Sequence, residues 1–320
     1  MTPSAWKPPR SRVLPRATMS ERSPGPRGAL LEGDCLEQLP TLGRQRFDLV
    51  YVDPPFNTGF AHRARRTQGA RVHGALAYDD AWGGLDAFLA MLEPRLAAIR
   101  GVLADTGSLW LHLDHRAVHD AKVVADGVFG RGGFKGEVIW VPGNGARGKS
   151  GPCVTHQTIL VYAKAREMLW NHDDPWLREP FAKTSLDMHF THTDAQGRRF
   201  RERVIGGKAY RYYADVGRKL GSVWTDCPAM RANTPLDPES TGYPTQKPER
   251  LLERIVRATT PARGRVLDPM CGSGTTLAVA QRLGRRWVGI DQSPVALAVT
   301  RARLGLTSSK PGARARSVSR

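Results

Sequence analysis

Two short segments of this sequence carry residue types able to do chemistry. The first is Asp53-Pro54-Pro55-Phe56, which follows the run Phe47-Asp48-Leu49-Val50-Tyr51-Val52. The run reads as a buried strand, and the prolines, which lack a ladder donor, must end it. Their stiff backbone lets the Asp53 carboxylate and the Pro54 carbonyl both accept hydrogen bonds from one exocyclic amino group. Such an amine is held pyramidal, with its lone pair aimed at an electrophilic methyl, and Phe56 offers a ring on which a flipped base could stack. The second segment is Val266-Leu267-Asp268-Pro269-Met270-Cys271-Gly272-Ser273-Gly274-Thr275-Thr276, followed later by Gly289-Ile290-Asp291. A strand enters a glycine-bearing turn that opens a helix, and a second strand ends on an acid. This suits a nucleoside, since the glycines allow close backbone approach and the acid can accept from both ribose hydroxyls. The loop is neither GxGxxG nor GK[ST], so a pyrophosphate or triphosphate grip is not supported. Asp268 at a strand end suits a cationic ligand, such as the sulfonium and ammonium of S-adenosylmethionine. Taken singly, each segment also has a plainer reading, the first as an ordinary strand terminator and the second as an ordinary βα turn, and in both the functional reading is favoured.

The elements around these segments must position them. Asp86 to about Ala104 has a helical apolar spacing, Gly107–Leu113 reads as a strand and Val118–Val128 as a helix. Val138–Val141 and Thr158–Tyr162 are further strands, expected as a terminal antiparallel pair. Lys247–Thr260 and Thr275–Leu283 read as helices, and Ser293 caps a last helix with Pro294 at its first position. Alternating strands and helices predict an α/β chain with a doubly wound, mostly parallel sheet. Residues 57–84 are polar, basic and glycine-bearing, and read as a mobile loop. Residues 165–241 are rich in His, Arg, Asp, Pro and aromatics without a clear period, the natural place for a recognition insertion. The expected divisions are an unfolded basic arm over 1–28, a catalytic part over 29–164, the insertion over 165–241, a cofactor part over 242–305 and a basic tail over 306–320. Met19 offers an alternative start to Met1.

Composition narrows the classes. The chain has 320 residues, 40% hydrophobic and 24% charged, which fits a globular protein and excludes a collagen-like or wholly disordered one. No apolar window is long enough for a membrane span and no secretory signal is visible, so a cytoplasmic protein is expected. Cys35, Cys153, Cys227 and Cys271 form no CxxC pair, so neither a disulfide framework nor a structural zinc site is expected. Nor is a metal expected at His112, His115 and His119. The net charge of +18 points to a polyanionic partner, nucleic acid before membrane.

The two segments together resemble the β group of amino-methylating DNA methyltransferases, in which the Asp-Pro-Pro-Phe block precedes the recognition region and the cofactor block comes last. Glu32-Gly33-Asp34-Cys35 and Thr241-Gly242-Tyr243-Pro244-Thr245-Gln246-Lys247-Pro248 support the resemblance, the latter with Tyr243 where the family signature has His. It spans roughly residues 29–304 and implies an S-adenosylmethionine-methyltransferase fold related to the Rossmann type. It also implies the site residues. Asp268, Pro269, Cys271, Gly272, Ser273, Gly274 and Thr275 would surround the methionine part of the cofactor and Asp291 its ribose. Asp34, beside Cys35, would meet the adenine amino group. Thr245, Gln246 and Lys247 would close over the cofactor, Lys247 as a partner for its carboxylate, and Asp53, Pro54, Pro55 and Phe56 would hold the target base. Within the family, Asp as first catalytic residue resembles the N6-adenine enzymes and Ser the N4-cytosine enzymes, so adenine is expected and cytosine is the alternative.

The expected partner is double-stranded DNA, with the protein associated with the nucleoid; a homodimer and a cognate restriction endonuclease follow from the resemblance. Arg63, Arg65, Arg66 and Arg71 follow the catalytic block, where they would contact phosphate. Arg198, Arg199 and Arg201, interleaved with aromatics, suit DNA recognition in the insertion. A dinucleotide oxidoreductase would leave Asp-Pro-Pro-Phe unexplained. A protein-amine methyltransferase would have no use for a basic insertion, and a non-catalytic DNA-binding relative would not need both blocks intact.

Overall fold

The computed structural model describes residues 28–56, 61–64, 74–80, 83–143, 145, 151–230 and 237–306. The expected arm lies outside the described residues except for Gly28, and the tail except for Leu306.

The chain runs β1 (Gly28–Glu32), α1 (Cys35–Thr41), β2 (Phe47–Val52), β3 (Ala61–Arg63), β4 (Leu76–Asp79) and α2 (Leu85–Val102). It continues through β5 (Leu103–Leu113), α3 (Val118–Phe129), β6 (Phe134–Trp140) and β7 (Gln157–Ala163). The insertion holds β8 (Arg178–Glu179), α4 (Lys183–His189), β9 (His192–Thr193), β10 (Arg199–Ile205), β11 (Lys208–Tyr213), β12 (Arg218–Lys219) and β13 (Val223–Trp224). Last come α5 (Glu249–Thr259), β14 (Arg265–Asp268), α6 (Thr275–Arg282), β15 (Arg286–Asp291) and α7 (Pro294–Arg303).

One sheet has the strand order β1-β15-β14-β2-β5-β7-β6-β13. From β1 to β5 every pairing is parallel; β7 runs antiparallel to both β5 and β6. The side chains of β2 alternate between two buried faces. Val50 and Val52 pack with Phe88, Leu92 and Leu96 of α2 on one side, and Leu49 and Tyr51 with Leu251 and Ile255 of α5 on the other. Helices therefore cover both faces, and the sheet is the doubly wound one expected. No helix among the described residues is long and apolar enough to cross a membrane.

Three expectations change. The pair β6–β7 is antiparallel but not terminal, because β13 joins the far side of β6 in parallel through Val223–Ile139 and Trp224–Trp140. Trp224 is buried against Trp110, so the insertion is anchored in the core at its end. Asp226 strengthens that anchor by accepting from Arg250 and Arg254 of α5, whose guanidinium groups hold its carboxyl down at about 2 despite burial. The loop expected over 57–84 contains an antiparallel ribbon, β3–β4, whose buried Ala77 packs with Val295 and Val299 of α7. Residues 57–60, 65–73 and 81–82 lie outside the described residues. Finally, α5 starts at Glu249, not Lys247, because Pro248 biases the residue before it to extended backbone and suits the helix start.

Candidate active site

In an open α/β sheet, ligands bind outside the carboxyl ends of the parallel strands. Four neighbouring strands deliver an acid to that edge. Asp34 follows β1, Asp291 ends β15, Asp268 ends β14 and Asp53 follows β2, in the order those strands occupy in the sheet. A cavity of about 430 Å³ opens there, large enough for a cofactor-sized ligand. Its lining brings together Asp53, Pro54, Pro55 and Phe56 with Thr245, Gln246 and Lys247. Asp268, Pro269, Cys271, Gly272, Ser273, Thr275, Asp291 and Cys35 complete the set expected from the sequence.

Asp34 and Gly274 do not line it. The Asp34 carboxylate accepts from Leu36 N at 2.8 Å, capping α1, and from Gln292 Nε2 at 3.0 Å, and it pairs with Arg95. Gly274 sits at the N-cap of α6 with φ 72°, and a Cβ there would come within 2.7 Å of Thr300. Both the left-handed backbone and the close helix packing require glycine. Gly274→Ala is expected to cost about 2 kcal/mol or more of stability in urea unfolding.

Asp291 fastens the turn to its own strand. Its Oδ2 accepts from Gly272 N at 2.8 Å and its Oδ1 from Ser293 N at 2.8 Å. Burial raises its carboxyl pKa, and those backbone donors oppose the rise. Each oxygen keeps a second lone pair, so a vicinal diol could bind both. Asp268 is buried, and its carboxyl is pushed up to about 7 by burial, with the Thr276 hydroxyl and Met270 N–H opposing and the Asp53 and Asp291 charges adding to the rise. Clustered carboxylates that resist ionisation are a site prepared for a cation.

Asp53 stands beside them. Its Oδ2 accepts from Lys247 Nζ at 2.5 Å, whereas Oδ1 is buried without a hydrogen-bond partner. An acceptor left bare in this way costs free energy in the free protein and is matched to a ligand donor. Lys247 Nζ also lies 5.1 Å from the Phe56 ring centroid. The Thr245 backbone, at φ 56°, is strained for a β-branched residue and is held by a 3.0 Å contact between its hydroxyl and that of Tyr78. Gln246 lines the cavity but its amide is consumed by the loop, donating to Glu239 O and accepting from Thr241.

Sequence reasoning missed several lining residues. Tyr78 and Tyr243 form a stacked wall, 6.3 Å between centroids, and Tyr243 closes on Gly272, where a Cβ would sit 3.3 Å from its ring. Tyr243 lay within a motif already singled out; Tyr78 carried no such signal. Beneath Phe56, Tyr51 Oη is 2.7 Å from His112 Nδ1, and His112 Nε2 is 2.8 Å from Gln157 Oε1. Burial and the Lys247 charge hold the His112 pKa well below its usual value, so this imidazole is a neutral packing group.

Of the expected DNA-contacting arginines, Arg65, Arg66 and Arg71 lie outside the described residues, and Arg63 donates to Gly74 O at 3.0 Å. Arg198 binds Asp215 through two 2.9 Å hydrogen bonds, and Arg199 donates to Leu186 O and Phe190 O. Arg201 lies among the rings of Phe181, Phe190 and Tyr212.

Residues 47–301 match the family described as DNA methylase, in its N6/N4 group. The chain belongs to the N6/N4 DNA methylase family. The type II methyltransferase M.EcaI of Enterobacter cloacae is 27% identical over 286 residues, which cover 77% of this chain and 62% of that relative. The chain thus spans less than two thirds of that relative's length. The solved structure of M1.HpyAVI with S-adenosylmethionine superposes with a TM-score of 0.54 at 17% identity, covering 87% of this chain and all of the other. The cytosine-N4-specific PvuII DNA methyltransferase superposes at 0.55 and 15% identity, covering 89% and 88%. These superpositions establish the methyltransferase fold of this chain, and neither its target base nor its partners.

Proposed function

We propose that the methylase transfers a methyl group from S-adenosylmethionine to the exocyclic amine of a base flipped out of duplex DNA, N6 of adenine in preference to N4 of cytosine. The observation that carries this reading is the bare, buried Oδ1 of Asp53 at the carboxyl edge of β2, beside Phe56. The cofactor supplies an electrophilic methyl on a cationic sulfur. Asp268 compensates that charge, Asp291 takes the ribose hydroxyls, and the wall of Tyr78 and Tyr243 excludes water. Asp53 Oδ1 and the Pro54 carbonyl take the amine hydrogens, and Phe56 takes the face of the base. Rate enhancement comes from positioning and from preorganised charge, not from a strong base. The preference for adenine rests on Asp in the first catalytic position. A homodimer and a cognate endonuclease belong to the same reading on the family resemblance alone.

DNA contact is read from β10 and β11. Their register places Arg201, Arg203 and Ile205 opposite Tyr212, Tyr210 and Lys208 on one face of the ribbon. The other face carries Phe200 with Tyr213, a Glu202–Arg211 ion pair, and Val204 with Ala209. One face is therefore cationic and aromatic without an acid, and the other is neutral. A two-stranded ribbon fits the major groove. Replacing Arg203 and Lys208 together with alanine is expected to weaken DNA binding and to reduce the slope of log K against log salt by about 2. An unchanged slope would move the contact elsewhere.

The function itself is tested by nucleoside mass spectrometry of plasmid DNA from a methylase-free host expressing the protein, with Asp53→Ala as blank. N6-methyladenine above the blank supports the reading, N4-methylcytosine overturns the base alone, and neither overturns the activity.

A further inference from the structure

The Lys247–Asp53 ion pair has no part in the reading above, in which Lys247 serves the segment that closes over the cofactor. Its geometry is specific. Lys247 reaches across from the segment before α5, its side chain 8% exposed, and places Nζ 2.5 Å from Oδ2 of Asp53. The ammonium also lies over the Phe56 ring, 5.1 Å from its centroid. Among the described residues, Lys247 is the one cation paired with Asp53. The second carboxylate oxygen, Oδ1, is left buried and bare.

The other groups facing Asp53 bring no second positive charge. Asp80 beyond β4 and Asp268 at the end of β14 are carboxylates that disfavour another negative charge nearby. Tyr51 of β2 and Tyr78 of β4 have hydroxyl pKa values raised by burial and by the Asp53 charge, and His112 of β5 is held neutral. Asp80 in turn lies 3.8 Å from His62 Nε2 of β3. Burial raises the Asp53 carboxyl pKa, and Lys247 is what opposes the rise.

The protonation state matters because of what each form offers. A carboxylate only accepts, and so engages the hydrogens of an amine. A carboxylic acid carries an O–H that donates to the amine's lone pair, the electrons that must form the new N–C bond. We propose that Lys247 is a positioning residue for methyl transfer, which by taking Oδ2 holds Asp53 as an oriented carboxylate and leaves Oδ1 to accept a hydrogen of the target amine. This rests on the amino-methylation reading above.

The test is the pH dependence of kcat/KM for methylation of unmodified duplex DNA between pH 5.5 and 9, at saturating S-adenosylmethionine, for the wild type, Lys247→Met and Lys247→Arg. In Lys247→Met the acid limb moves up by about one pH unit or more, so its deficit against wild type widens about tenfold as the pH falls. In Lys247→Arg the limb stays at its wild-type position whatever the rate, because a cation is restored. A uniform loss in Lys247→Met with an unmoved limb would overturn the proposal, leaving a contact to the cofactor or a packing role. An Arg variant whose limb moves as far as that of the Met variant would do the same. If Lys247→Met does not fold, Lys247→Gln is read by the same criteria. A wild type that methylates DNA at no pH would remove the amino-methylation reading and this proposal together, an outcome distinct from an unmoved limb in a working enzyme.

Discussion

Asp53→Ala lowers methyl transfer by about 10²- to 10³-fold, the expected loss when a preorganised polar contact to the reacting group is removed, while S-adenosylmethionine still binds. The two halves of this expectation have different origins. Transfer fails because the acceptor at the edge of β2 is gone; in the folded protein that acceptor is bare and buried at Oδ1, so no neighbouring donor holds it in place of an amine. Binding survives because the groups suited to the cofactor come from other strands. Asp291 holds Gly272 N and Ser293 N whether or not Asp53 is present. Asp268 even ionises more easily, since the Asp53 charge is one of the causes raising its pKa. Calorimetric titration with cofactor, alongside single-turnover transfer from labelled cofactor to DNA, measures both halves. Transfer at wild-type rate by Asp53→Ala would remove Asp53 from the chemistry. Loss of cofactor binding together with transfer would make it a cofactor ligand instead.

Much of this arrangement was legible in the sequence because local signals agreed with the global fold. The run from Phe47 to Val52 is apolar enough to be buried on both faces, and it is. Ser293 and Pro294 mark the start of α7, where the Ser293 side chain accepts from Ala296 N. The turn after β14 joins two well-marked elements, so its place at the sheet edge followed. What stayed hidden has physical reasons. The ribbon β3–β4 buries small side chains such as Ala77, so its alternation leaves little trace in hydropathy. The ribbon β10–β11 alternates in charge and aromaticity while most of it is exposed, a two-residue period that an apolar template does not register. Strand β13 is two residues long and pairs with a strand far away in sequence. Arg198 and Arg199 show why a basic run cannot be assigned to DNA from composition: their guanidinium groups are taken up by Asp215 and by backbone carbonyls. Asp34 likewise pairs with Arg95, a residue 61 positions along the chain that no local pattern links to it.

Asp268→Asn carries the second large effect, and its sign follows from the direction of the pKa shift. The folded Asp268 carboxyl titrates at about 7 because it is buried among other acids, against about 3.9 in an unfolded chain. A raised carboxyl favours the folded state only while it is protonated. Its contribution is complete below about pH 4 and is lost as the pH climbs through about 7, so the cofactor-free protein becomes less stable across that window. A sulfonium or ammonium reverses the preference, because a cation binds the ionised carboxylate. S-adenosylmethionine affinity should therefore rise by up to about tenfold per pH unit between pH 5.5 and 7 and level off above, with proton release on binding below pH 7. Titrations in two buffers of different ionisation enthalpy measure that release directly. In Asp268→Asn the carboxylate is absent at every pH, so the slope flattens, and above pH 7 affinity falls by about 30-fold or more, the cost of removing one partner of a buried charge pair. A wild-type affinity that is flat across this range would mean that Asp268 does not meet the cofactor's charge. The cationic end of the ligand would then have to be sought nearer Asp53, whose own carboxylate is already shared with Lys247.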